Sequence, residues 1–203
     1  MAGSNANEIR VAGTGRILVA PVGTAAPADT TAEWAAGWKD LGYTSQDGIK
    51  LAKKDKLDPV ETWQSVSPAR FIYSDRDLTV KFQLLQMNEE TLPFFMGGSA
   101  ISETATGSGL YKYDLASAPE FNEKALGIQF SDGNKITYRF VIPRGQVTET
   151  EELSLTRTAS IKLGVTFTAL AVDNIKPLAT FLTNDASYST GTGTGTGTSS
   201  IAK

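Results

Sequence analysis

The chain has 203 residues and contains neither cysteine nor histidine. Without cysteine there is no disulfide, no thiolate nucleophile and no cysteine-ligated zinc or iron–sulfur centre. Without histidine, the commonest general base and the commonest metal ligand are also missing. No apolar run approaches the roughly 18 residues of a membrane span. The opening MAGSNANEIR lacks the basic stretch and apolar core of a secretory signal. Nineteen basic residues stand against 22 acidic ones, for a formal charge of −3, so no basic excess marks a nucleic-acid footprint. Carboxylates and lysine could still support catalysis, but no two carboxylates are placed for paired acid–base work. We read the chain as non-enzymatic and independent of cofactors and metals.

What the sequence does have is alternation. Leu78, Val80, Phe82 and Leu84 fall on one face of a strand over residues 77–85, with Thr79, Lys81 and Gln83 on the other. The pattern then breaks. Asn88 is a helix N-cap, Glu89 and Glu90 suit the positive end of the helix dipole, and Leu92, Phe94 and Phe95 form an apolar face. Pro93 keeps this helix short, and Gly97-Gly98 stops it. Asp132-Gly133 sits between residues 126–130 and 135–142, the strongest hairpin signal in the chain. Residues 159–170 alternate without a break and predict a final strand of about 40 Å. Residues 16–21 predict a shorter first strand, ended by Pro21.

The connections carry their own expectations. Residues 1–13 are small and polar and read as a mobile arm. Thr30 to Glu33 fits a capping box and predicts one helical turn carrying Trp34; Trp34 and Trp38 are read as core residues. Residues 45–69 form a long excursion, of a length more often functional than idle. Pro143-Arg144-Gly145 is expected to turn the chain into a polar stretch. The glycine–threonine run of residues 187–203 cannot bury enough surface to offset its ordering entropy, so it predicts a disordered tail. The residues between, 14–186, make one domain. The fold class that follows is all-β with one short helix.

Three clusters invite a chemical reading, and each has a plainer one. Gly13-Thr14-Gly15 lacks the spacing and the lysine of a phosphate loop, and reads as a turn. Glu149, Glu151 and Glu152 could hold a hard cation but have no second ligand set nearby, so a solvated rim fits better. Lys53, Lys54 and Lys56 are interrupted by Asp55 and Asp58 and have no interleaved aromatic residues, which suits a solvent-exposed excursion or a contact with an acidic surface of another subunit better than nucleic acid.

Several phrases, in order, resemble the major tail tube proteins of long, flexible-tailed bacteriophages. They are GTGRILVAPVGTAAP, GWKDLGYTSQDGI, RDLTVKFQLLQ, NEETLPFFMGG and DGNKITYRFVIPRGQVTE, within residues 8–170. The resemblance implies a β-sandwich or barrel protomer with a helix crossing between sheets and a long hairpin at 45–69. It also implies hexameric rings stacked into a hollow virion tube, a passive conduit for DNA that binds none specifically. Partners would be further copies, a tape measure protein and tail-tip and terminator proteins, assembled in the host cytoplasm without a membrane. Four strands from each of six protomers make 24, which at ~4.8 Å spacing and ~40° tilt close at a diameter of about 48 Å. Residues 77–85, 126–130, 135–142 and 159–170 are the candidate tube strands, with Gln83, Thr137, Thr166 and Thr168 facing the lumen. Residues 1–13 and 45–69, with Lys53, Lys54, Lys56, Asp58 and Trp63, are the inter-ring candidates. The alternative is a monomeric β-sandwich binding module, for a virion surface or a carbohydrate, whose aromatic patch would draw on Trp34, Trp38 and Trp63.

Overall fold

The computed structural model describes residues 4–189, apart from 99, 119, 134 and 174. Ten strands and one helix follow in order: β1 Thr14–Pro21, β2 Lys39–Asp40, β3 Lys50–Thr62, β4 Ser65–Leu84, α1 Thr91–Met96, β5 Ser102–Glu103, β6 Tyr111–Lys112, β7 Lys124–Asp132, β8 Ile136–Thr150, β9 Leu163–Ala169 and β10 Thr180–Thr183. Eight strands form one antiparallel sheet in the order β2-β1-β7-β8-β9-β4-β3, with β10 on β8; β5 and β6 make a separate small hairpin.

The sheet closes on itself. Residues 39–41 pair with β1, where the Leu41 N–H donates to the Ile17 carbonyl at 2.9 Å. Two residues later the same segment pairs with β4: Ser45 N–H donates to Gln83 O, and Leu85 N–H to Tyr43 O, each at 2.9 Å. One short stretch therefore joins β1 to β4, giving a barrel from which β3 and the first part of β4 extend. Gly42 is the pivot, at φ +78°. A Cβ there would fall 1.5 Å from Gln86 Oε1, the atom that accepts from Tyr43 N–H.

Inside the barrel the alternating residues meet. Ile17 and Val19 of β1, Leu126 and Ile128 of β7, Ile142 of β8, Val165 and Phe167 of β9, and Val80, Phe82 and Leu84 of β4 form one buried cluster. Helix α1 caps it, with the Phe94 ring centroid 6.2 Å from those of both Phe82 and Phe167. The Asn88 side chain accepts from the N–H groups of Glu90 and Thr91, but the helix starts at Thr91 with Glu90 at its N-cap, so Asn88, expected as the cap, makes a turn just before it and neither Glu89 nor Glu90 lies in its first turn. Gly97 and Gly98, both at positive φ, end it.

The structure also corrects several expectations about the strands and turns. Residues 30–33 form no helical turn; the Asp29 carboxylate takes the N–H groups of Thr31 and Ala32 and bends the chain there instead. Pro143-Arg144-Gly145 does not turn the chain: β8 runs through it, because ladder partners change at that point. Residues 138–141 pair with β10 and 145–150 with β9, so the missing proline N–H falls between two ladders. The last long strand is β9, seven residues rather than twelve, since residues 159–162 have no neighbouring strand to complete a ladder. Finally, Ser187 and Tyr188 belong to a short 3-10 turn, Ala186–Tyr188, rather than to a tail; residues 190–203 lie outside the described residues.

Both ends of the described chain are held on β8. Arg10 Nε lies 2.6 Å from Asp185 Oδ2 and 2.9 Å from the Tyr138 hydroxyl, which itself donates to Asp185 Oδ2 at 2.6 Å. The described part of the N-terminal segment is thus tied down at Arg10, where a mobile arm over residues 1–13 was expected; residues 1–3 lie outside the described residues. The Arg10 guanidinium, then the Tyr138 hydroxyl, hold the Asp185 carboxyl far below the usual carboxylate range.

Two outcomes follow. Gly42→Ala forces a side chain into the left-handed region and displaces Gln86 from Tyr43, and is expected to cost about 1–3 kcal/mol in thermal melts; Gly23→Ala, with open space around its Cβ, should cost less. Asp185→Asn should lower Tm at neutral pH. A depressed carboxyl stabilises above its unfolded value and loses that contribution as pH falls, so the Tm gap should narrow below about pH 4.

Candidate assembly surfaces

The outer face of the barrel divides into two unlike halves. Over β1, β7 and the first part of β8 it is covered. Leu18, Ala20, Ala125 and Val141 pack there under Trp38, with Trp34 against them and the two indoles 4.7 Å apart, edge to face. Gly127 allows this approach, since a Cβ would fall 2.5 Å from the Trp34 ring. Arg139 is buried in the same layer, donating to the carbonyls of Asp29 and Ala32 at 2.6 Å with its guanidinium 5.3 Å from the Trp34 ring. Trp34 Nε1 and Arg139 Nε both donate to Gln129 Oε1. This half is sealed, and its tryptophans are packed within the fold. An exposed aromatic patch built from all three tryptophans is not formed.

The other half is bare and polar. The second part of β8 lies beside β9, then β4, then β3, and the register fixes which side chains share the outer face. Gln146 and Glu149 of β8 stand beside Thr168 and Thr166 of β9. These stand beside Thr79 and Lys81 of β4, which face Ala52 and Lys50 of β3. Cross-strand bonds stitch the face together. The Thr148 and Thr168 hydroxyls are 2.8 Å apart, Gln83 Nε2 donates to Glu151 Oε2 at 2.7 Å, and Lys81 Nζ is 3.9 Å from Glu149 Oε2. The face mixes both signs, with Lys50 and Lys81 toward β3 and Glu149 and Glu151 toward β8.

Of the four lumen candidates, the structure brings Gln83, Thr166 and Thr168 together on this face. Thr137 lies on the first part of β8, paired with Ser131 and with its N–H on Asn184 Oδ1, away from the other three. Strand β7 and residues 135–142 likewise belong to the half covered by tryptophan, and the four-stranded polar surface is completed by β3 and residues 145–150 instead.

From this face a two-stranded arm projects. Strand β4 begins at Ser65, and its first thirteen residues, 65–77, are all exposed and pair with β3 alone. At ~3.3 Å per residue this is a ribbon of about 40 Å. It contains all five inter-ring candidates. Lys54, Lys56 and Asp58 share the polar face, Lys53 points to the opposite one, and Trp63 sits in the terminal turn, 99% exposed. Asp55, held down to about 2 by Arg76 and then Lys53, braces the middle: Arg76 donates to both its oxygens, at 2.7 and 3.3 Å. Beyond it, across a bulge, Leu57 faces Tyr73 and Pro59 faces Phe71, all on the face opposite Lys54 and Lys56, a face that Lys53 and Asp55 share. These apolar residues and Val66 are exposed.

The alternation of residues 70–73 was available in the sequence, but Pro68 and the bulge at Ser74 hide its continuity with residues 77–85.

Among the described residues no group of three or more acidic side chains is arranged to hold a metal ion, and no helix is long and apolar enough to cross a membrane. A family model described as phage tail tube protein matches residues 2–192, nearly the whole chain. No curated protein matches it.

A two-stranded ribbon without a third strand is marginal in water. Limited trypsin digestion of the free subunit is therefore expected to cut first within residues 50–77, at Lys53, Lys54, Lys56, Arg70 or Arg76, and those cuts should be suppressed in assembled material.

Proposed function

The chain belongs to the phage tail tube protein family, and from that premise we propose that it forms stacked hexameric rings in the tail of a long, flexible-tailed phage. As a family member it is a structural virion protein of the tail that assembles into a tube, and not an enzyme. The finer reading rests on one observation: a bare four-stranded polar face continuous with an arm of about 40 Å. Lined up around an axis, six such faces make a wall of 24 strands, consistent with a tube wide enough for a DNA duplex. Gln83, Thr166 and Thr168 then face the lumen with Lys81 and Glu149. Balanced charge suits a conduit, because a cationic wall would hold phosphates through counterion release. The arm, with Trp63 at its tip, reaches the neighbouring ring. The tape measure protein, tail-tip and terminator proteins are the partners of such a tube, with assembly in the host cytoplasm.

Negative-stain microscopy over a concentration series, with and without a tail-tip seed, tests this reading; striated hollow tubes are expected, and a monomer under every condition overturns it. Replacing residues 58–72 by an Asn-Gly turn should leave a folded subunit, with Tm near wild type, that yields single rings at most. Full-length tubes from that variant would remove the arm from ring stacking.

A further inference from the structure

One carboxylate joins the two ends of the described chain, and its two oxygens have different tasks. Asp185 Oδ1 accepts from the Ser187 N–H at 2.9 Å and so caps the short turn Ala186–Tyr188. Oδ2 accepts from Arg10 Nε and from the Tyr138 hydroxyl, each at 2.6 Å. The Asp185 side chain is 4% exposed and that of Arg10 22%. A charge this far from water depends on its counter-ion. Without Arg10, Asp185 is left with a desolvated, unpaired carboxylate, and the turn it caps is destabilised.

The two segments meet over aromatic side chains. Phe130 stacks on Tyr138 with ring centroids 4.9 Å apart, Tyr138 lies 5.7 Å from Phe181, and Phe181 lies 6.5 Å from Tyr188. Tyr138 is buried. Strand β10 supplies the ladder partner of residues 138–141 on one side. Just after it, Asn184 holds the start of β8, accepting from Thr137 N–H at 2.8 Å and donating to Lys135 O at 2.9 Å. From the other terminus, Gly13 N–H donates to Ser131 O at 3.1 Å, beside the end of β7. Residues far apart in sequence thus close the same end of the sheet.

We propose that the two terminal segments form one latch: residues 4–13 and 180–188 are held together or released together, with the Arg10–Asp185 pair as the catch. The inference goes beyond the assembly reading and does not depend on it. Drawing the N-terminal segment away strips Asp185 of its cation; drawing the C-terminal segment away strips Arg10 of its anion. Either way the second segment loosens. Release takes Arg10 from the Tyr138 hydroxyl, Phe181 from the Tyr138 ring and β10 from residues 138–141. An aromatic surface and a free strand edge therefore appear in one step, and the closed latch hides both.

Hydrogen exchange on the full chain, followed by mass spectrometry, tests the coupling. Arg10→Gln is expected to raise exchange at residues 180–188 roughly tenfold or more, and Asp185→Asn to raise it at 4–13 by a similar factor, because coupling between two sites is reciprocal. Amides of β7 and β9 that stay protected show that the barrel of each variant is folded. A second measurement needs no substitution. In the wild-type chain the two segments should open as one unit, with a single dependence on denaturant. Exchange at 180–188 that stays at the wild-type rate in Arg10→Gln overturns the latch. So do two segments that open with different denaturant dependence in the wild type.

Discussion

Every backbone N–H and C=O along a strand must find a partner, and the edges of a sheet are where partners run out. Much of this molecule is a response to that constraint. Within one subunit residues 39–45 answer it, taking the free edge of β1 on one side and of β4 on the other. The pivot is a glycine because the chain must leave one ladder and enter the next within two residues. What this closure leaves open, β3 and the end of β8, is what a neighbour could complete.

The same sheet shows two ways to finish an outer face. Over β1 and β7 the chain folds its own tryptophans across the strands, at the cost of burying Arg139, whose donors are then met by two carbonyls and Gln129. Over β9 and β4 nothing covers the strands, and threonine, glutamine and paired charges make the surface suited to water. A sheet with both faces greasy would need a second layer on each side; this one needs it on half.

How much of this could be read from residues alone depends on whether the information was local. The β7–β8 hairpin was legible because Asp132-Gly133 states its own turn, and a turn at Asn88 because its partners are two and three residues away, although the helix begins two residues later than that turn suggests. The end of the last strand was not, since residues 159–162 alternate like strand but lack a neighbour, and neighbours are a property of the fold. Pro143 looked like a stop for the converse reason: only the topology shows that the ladder changes partners there. The polar faces of residues 77–85 and of the last strand were recognised one strand at a time. Which of them become adjacent is decided by register, and register brought Gln83, Thr166 and Thr168 together while sending Thr137 elsewhere.

The unlike charge of the two edges has one more consequence. Two copies meeting face to face across a twofold axis would set β3 against β3, lysine on lysine, or β8 against β8, glutamate on glutamate. The second sets glutamates against their own kind, whereas the lysines of β3 already have Asp58, Asp75 and Asp77 beside them, so the two twofold pairings differ in what they oppose. The two edges are therefore not interchangeable, and the subunit has a direction along its sheet as well as across it.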